Sequence, residues 1–101
     1  MFEERLQGWD GEELVVRFDE PSGTWMFIAV HSTVLGPAMG GTRMKTYATP
    51  DEAAGDALRL SQAMSMKQAA AGLPYGGGKA VLAVPVVSAR GSGTEKMILL
   101  K

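Results

Sequence analysis

The sequence predicts an α/β fold: a small mixed sheet with an N-terminal hairpin and one long helix packed on it. Three observations predict it. Two apolar runs, residues 13–30, flank a turn signal; a capped, alanine-rich run spans residues 50–71; and a valine- and alanine-rich run follows it.

In chain order, "ELVVRFDEPSGTWMFIAV" reads as a hairpin, with Leu14, Val16 and Phe18 alternating with Val15, Arg17 and Asp19. Pro21 presets φ in the turn, and Gly23 is free to take a positive φ. Trp25 to Val30 is almost continuously apolar, which predicts burial on both faces. In "HSTVLGPAMGGTR" the pairs Gly36-Pro37 and Gly40-Gly41 rule out a regular element. Residues 42–47, "TRMKTY", alternate again and read as a further strand.

The helix has explicit ends. Thr49 is the N-cap, Pro50 takes N1, and Glu52 at N3 completes a capping box. Gly72 is the C′ stop, with Pro74 beyond it. The run between is about 22 residues, or roughly 33 Å at 1.5 Å per residue. Lys79 to about Val87 reads as a strand, "SARGSG" as a loop, and Thr94 as the cap of a second helix that the sequence leaves after one turn. The expectation is therefore one domain, residues 1–101, that is part of something longer.

Composition excludes several classes. The chain is 46% hydrophobic and 21% charged with a net charge of -1, so no electrostatic signal points to nucleic acid or an anionic membrane. With no cysteine there is no disulfide framework and no thiolate metal site, which fits a cytoplasmic location. The acidic, broken N-terminus is no signal peptide, and no apolar run approaches the roughly 20 residues of a membrane span. One histidine, His31, is too few for a histidine-based metal site and reads as structural.

Two lysines stand out. Residues 53, 57, 60, 64, 67 and 71 step along one helix face, and Lys67 interrupts an otherwise apolar stripe of Ala53, Ala57, Leu60, Met64 and Ala71. An ammonium facing a core is costly unless it is paired or lies in a polar cavity. Either Lys67 snorkels to water from the helix end, or it lines a pocket and meets an anion. Lys79 follows three glycines in "AAGLPYGGGKAVLAVP". The stretch is no P-loop: Leu73 stands where the first glycine belongs, Ala80 replaces the hydroxyl residue, and the lysine enters a strand. It also reverses the strand-to-helix order of a dinucleotide fingerprint. Two readings remain, a tight turn and a close approach of backbone to a small ligand. In the second, burial and a neighbouring lysine lower the pKa of Lys79, fitting it for proton transfer or Schiff-base chemistry.

"WDGEELVVRFD", "LGPAMGGTRMKTY" and "DALRLSQAMSMKQAAAGLPYGGGKAVLAVP" together resemble the Glu/Leu/Phe/Val dehydrogenase family, nearest to its leucine, phenylalanine and valine branch. The likeness runs from Trp9 to Pro85 and joins G-G-T-R, A-M-x-x-K and G-G-G-K in order. The resemblance implies an N-terminal substrate-binding and dimerisation domain of an enzyme that oxidatively deaminates an L-amino acid to a 2-oxo acid and ammonia, reducing NAD. It implies Lys79 as the catalytic lysine and Lys67 as the grip on the substrate carboxylate. It implies Gly40, Gly41 and Met64 as lining of the substrate cavity, Arg43 as a reach toward the cofactor, and a homo-oligomer. Apolar lining beside the lysines favours an apolar amino acid. The family's catalytic Asp and its Rossmann domain, which binds most of the NAD, lie beyond this sequence, and "VVSARGSGTEKMILLK" does not match the family clearly. Alone, the chain is expected to bind no NAD tightly and to catalyse nothing. The alternative is a non-catalytic oligomerisation or small-carboxylate-binding module derived from the same family.

Overall fold

The computed structural model describes residues 2–85. The loop at 88–93 and the helix expected from Thr94 lie outside them. A short helix α1 (Phe2–Gln7), which the sequence reading did not foresee, precedes strand β1 (Glu13–Asp19) and strand β2 (Thr24–Val30). Strands β3 (Ala38–Met39) and β4 (Thr42–Lys45), helix α2 (Pro50–Ala70) and strand β5 (Gly76–Ala83) follow. The sheet runs β1-β2-β5, with β3 and β4 along the far edge of β5. β1 and β5 are antiparallel to β2, while β3 and β4 run parallel to β5.

The hairpin closes where Asp19 and Gly23 fix it. Gly23 takes φ +67°, its amide donates to the Asp19 carbonyl, and the Asp19 carboxylate accepts from the Ser22 hydroxyl. Burial on both faces of β2 is not observed. Phe27 and Ala29 are fully buried toward α2, whereas Ile28, on the opposite face, is 49% exposed. Among the described residues both helices pack on one side of the sheet, so Ile28 on the other side remains exposed while its neighbours Met26 and Val30 are partly buried.

Residues 31–41 contain the short strand β3, contrary to expectation. Met39 pairs with Gly77 and Thr42 with Ala80, the same offset of 38 residues. β3 and β4 are therefore one strand path along β5, interrupted at Gly40-Gly41. The glycines do not prevent pairing; they mark the break in it.

α2 begins and ends as its sequence signals require. The Thr49 hydroxyl accepts from the Glu52 amide, and Pro50 opens the helix. At the far end Gly72 takes φ +71°, its amide donates to Ala69, and the Leu73 amide donates to Gln68, which is a Schellman closure. The buried face of α2 is Ala53, Ala54, Ala57, Leu58, Ser61 and Gln68. It is rotated from the stripe the periodicity suggested, and Lys67 and Ala71 are exposed rather than core-facing. The core joins these alanines and Leu58 to Phe27, Ala29, Val81 and Ala83, with Phe2, Trp9, Leu14, Trp25 and Tyr47 packed around it.

β5 starts at Gly76, three residues before Lys79, so the three glycines form the first part of a strand and not a bend. Their room is taken by protein. A Cβ on Gly77 would lie 2.2 Å from the Ser65 amide nitrogen and 2.3 Å from the Ser61 carbonyl oxygen, so α2 rests directly on it. A Cβ on Gly76 would meet the Ser32 carbonyl, again at clashing distance.

Candidate functional site

The register of β5 decides where Lys79 stands. It pairs with Ala29, and by two-residue alternation it shares a face with Gly77 and the fully buried Val81, the face covered by α2. On its other flank is the break in the β3–β4 path. The Ala80 amide donates to the Gly41 carbonyl at 3.1 Å, and a Cβ built on Gly41 would lie 3.6 Å from the Lys79 Nζ. The half-buried ammonium thus lies over Gly41. Gly40 is different: a Cβ there would lie 1.6 Å from the Gly78 carbonyl oxygen, so this glycine serves backbone contact.

Met64 and Lys67 stand on α2, on the flank that Asp56 marks. The Tyr47 hydroxyl, just beyond β4, donates to the Asp56 carboxylate at 2.7 Å, and Arg43 on β4 comes within 3.8 Å of it. Asp56 therefore marks the helix flank that looks toward β4. At about 100° per residue, Lys67 returns to within about 20° of Asp56, some 16 Å farther along the axis, with Leu60 and Met64 between them. Met64 is half-buried and Lys67 exposed on this flank. Among the described residues, neither Lys67 nor Lys79 has a carboxylate partner within 4.0 Å, whereas Arg5, Arg43 and Arg59 each do.

Asp56 is the electrostatic centre of the flank. Burial pushes its carboxyl up, but the Tyr47 hydroxyl and the Arg59 and Arg43 guanidiniums outweigh burial and hold it below its ordinary value. Burial, and then the hydrogen bond to Asp56, push the Tyr47 phenol up to about 12. Arg43 is the loosest arm: Tyr47 and Arg59 approach Asp56 at 2.7 and 2.8 Å, and the Arg43 side chain stays 40% exposed.

Two polar residues of α2, Gln68 and Ser65, escaped the sequence reading. Gln68 Nε2 donates to the Met39 carbonyl at 3.1 Å and to the Gly76 carbonyl at 2.6 Å. Ser65 accepts from the Gly77 amide at 2.9 Å and meets His31 Nδ1 at 2.7 Å, while His31 Nε2 meets Asp10 at 2.7 Å. The His31 bond is the chief reason that the Asp10 carboxyl is held below its ordinary value. This Asp-His-Ser series has the residue types of a hydrolytic triad but not its chemistry. The Ser65 hydroxyl accepts from the Gly77 amide, and strand backbone lies against it: a Cβ on Gly77 would come within 2.5 Å of that oxygen. His31 thus ties Asp10 to the Ser65 hydroxyl on α2 through its two ring nitrogens. The signal for these residues was available in the spacing 61, 65, 68, which steps along one helix face like any buried stripe.

Two hollows lie elsewhere. One of about 240 Å³ opens between Arg5, Trp9, Leu58 and Gln62, and one of about 210 Å³ between Trp25, Tyr47, Pro50 and Pro85. Neither includes Lys67 or Lys79. Among the described residues no group of three His, Cys, Asp or Glu side chains is placed to hold a metal, and no helix is long and apolar enough to cross a membrane.

With this geometry in hand, comparison with known proteins gives a consistent answer. Residues 15–98 match the family model described as Glu/Leu/Phe/Val dehydrogenase, dimerisation domain, which reaches through part of the stretch that the motifs left unmatched. The chain is 53% identical over 77 residues to leucine dehydrogenase of Bacillus subtilis, covering 76% of this chain and 21% of that enzyme. It is 56% identical over 71 residues to valine dehydrogenase of Streptomyces virginiae, covering 70% and 20% respectively. Its fold superposes on the crystal structure of L-tryptophan dehydrogenase from Nostoc punctiforme with a TM-score of 0.73 at 41% identity, over 80% of this chain and 24% of that one. The chain thus spans about a fifth of the length of these curated relatives.

Proposed function

The chain belongs to the Glu/Leu/Phe/Val dehydrogenase family, and from that premise we propose that it carries the substrate-holding and subunit-contact part of an NAD-dependent dehydrogenase of apolar L-amino acids. The observation that carries this reading is the Lys79 Nζ over Gly41, at the break in the β3–β4 path and on the face of β5 that α2 covers.

In the proposed reaction an L-amino acid becomes a 2-oxo acid and ammonia. Lys67 takes the substrate carboxylate, a pairing that needs an exposed, unneutralised ammonium on a wall otherwise lined by Leu60 and Met64. Lys79, as the general base, takes a proton from the water that attacks the imine carbon and returns it to the departing ammonia. Gly41 leaves room for the head group beside that amine, and Met64 offers an apolar surface to the side chain.

NAD, when bound, supplies the hydride acceptor. The described residues build no cradle for its pyrophosphate, because Gly76, Gly77 and Gly78 lie within β5 and the first two are packed against protein backbone. Arg43, the half-exposed and loosely held arm of Asp56, is the group proposed to reach toward the cofactor. A cytoplasmic location and a homo-oligomer complete the proposal; the family's description as a dimerisation domain supports the second.

The test is a graft. Residues 9–85 replace the matching segment of the Bacillus subtilis leucine dehydrogenase, and amino-acid-dependent NAD reduction is assayed. The graft is expected to turn over apolar amino acids. Lys79→Ala is expected to lower kcat by roughly 10²–10⁴-fold, the range of a lost general acid–base. Lys67→Ala is expected to raise the KM for the amino acid by roughly ten- to a hundredfold, as loss of a charged hydrogen bond does. A folded graft without activity, or a Lys79→Ala graft with normal turnover, overturns the reading.

A further inference from the structure

The candidate residues stand on three separate parts of the fold: Met64 and Lys67 on α2, Gly40 and Gly41 between β3 and β4, and Lys79 on β5. One side chain joins all three. Gln68 follows Lys67 directly and is 7% exposed. An amide nitrogen has two hydrogens. Gln68 Nε2 gives them to the Met39 carbonyl at 3.1 Å, two residues before Gly41, and to the Gly76 carbonyl at 2.6 Å, three residues before Lys79. Its own backbone carbonyl accepts the Leu73 amide at 2.9 Å, which fixes the end of the helix turn that carries Lys67. The apolar core lies around Ala53, Ala54, Ala57 and Leu58, about three to four helical turns away.

We propose that Gln68 is a positioning residue, a clamp that sets the spacing between the Lys67 and Lys79 ammoniums across the interrupted strand path and so fits the cleft to a carboxylate with an adjacent oxo or amino group. The proposal rests on the roles of the two lysines given above and deepens them. A residue without donors at this position fills the space but leaves two carbonyls facing it unpaired, and the β3–β4 path, already broken at Gly40-Gly41, loses its tie to the helix.

The test uses the 101-residue chain, titrated and followed by NMR with two probes. One is 4-methyl-2-oxopentanoate, which presents a carboxylate and a 2-oxo oxygen. The other is 4-methylpentanoate, which presents the carboxylate alone. Gln68→Met keeps the length without donors; Gln68→Asn keeps the donors one methylene short. Both variants are expected to lose about tenfold in affinity for the oxo acid and less than about twofold for the plain acid, since only the first ligand spans both lysines. Equal losses for the two acids, or no loss, overturn the clamp, because a merely structural role moves both alike. Unfolding of both variants assigns Gln68 to stability and also counts against it. Binding of the oxo acid that Lys67→Ala abolishes but Gln68 variants leave unchanged keeps the lysine roles and removes the clamp. A folded wild-type chain that binds neither acid removes both.

Discussion

A methyl group added at Gly77 would meet the Ser65 amide nitrogen and the Ser61 carbonyl oxygen well inside contact distance, and both are helix backbone that cannot turn aside. The same group at Gly41 would lie 3.6 Å from the end of a flexible lysine, an ordinary contact. Gly77→Ala is therefore expected to cost about 3 kcal/mol, the upper range for overpacking, while Gly41→Ala leaves stability within about 0.5 kcal/mol. Urea midpoints of the two variants check this, and equal midpoints refute it. The pair also shows what was legible at this scale. That "YGGGK" marks close approach was readable from the lack of side chains. What approaches was not, because a sequence does not say whether a ligand or a helix takes the room. Here the helix takes Gly77, the Ser32 carbonyl takes Gly76, and Gly41 alone of the cleft glycines opens toward an amine.

Elements were legible where local chemistry fixes them and illegible where a partner does. The Thr49 cap, Pro50 and Gly72 bracket α2 as read, since caps act within one turn. The rotation of its buried face was missed because that face packs partly on Gly76 and Gly77, whose bare peptide groups need hydrogen bonds. The helix meets them with Ser65 and Gln68, so an apolar-stripe criterion passes over the true face and selects its flank, where Lys67 stands. The junction of α2 with the segment after β4 is instead held by Asp56 and Tyr47, and its pH dependence has two limbs. The Tyr47 pKa in the folded chain is raised to about 12 from 10.0. Its contribution to stability is present in full below about pH 10 and is lost as pH rises through 12. The Asp56 pKa is lowered from 3.8, so its contribution is present above about pH 4 and is lost as pH falls through its folded value. Tyr47→Phe is expected to flatten the alkaline limb of a urea-midpoint profile, and Asp56→Asn to flatten the acid limb and only reduce the alkaline one, since burial is the larger cause of the Tyr47 shift. A Tyr47→Phe profile that still falls between pH 10 and 12 like the parent's rules out this assignment.

At the scale of the molecule, the sheet is covered asymmetrically. Among the described residues, α1 and α2 lie on the face of Phe27, Ala29 and Val81. The opposite face carries cross-strand rows, Val15 beside Ile28 beside Ala80, and Met26 beside Leu82 beside Met44. Val15 is 44% and Ile28 49% exposed there. The exposed Val15 and Ile28 mark the part of this face on which the proposed homo-oligomer sets a second copy, in keeping with the family's description as a dimerisation domain. In a two-fold contact, which is self-complementary, one substitution enters twice, so a charge at Ile28 is a sensitive test of that proposal. Ile28→Glu is expected to shift the chain toward monomer in sedimentation velocity and weaken association by at least about tenfold, while far-ultraviolet circular dichroism stays unchanged because Ile28 points away from the α2 core. A parent chain that sediments as a monomer at about 100 μM, or a variant that associates like the parent, excludes this face as the contact between copies.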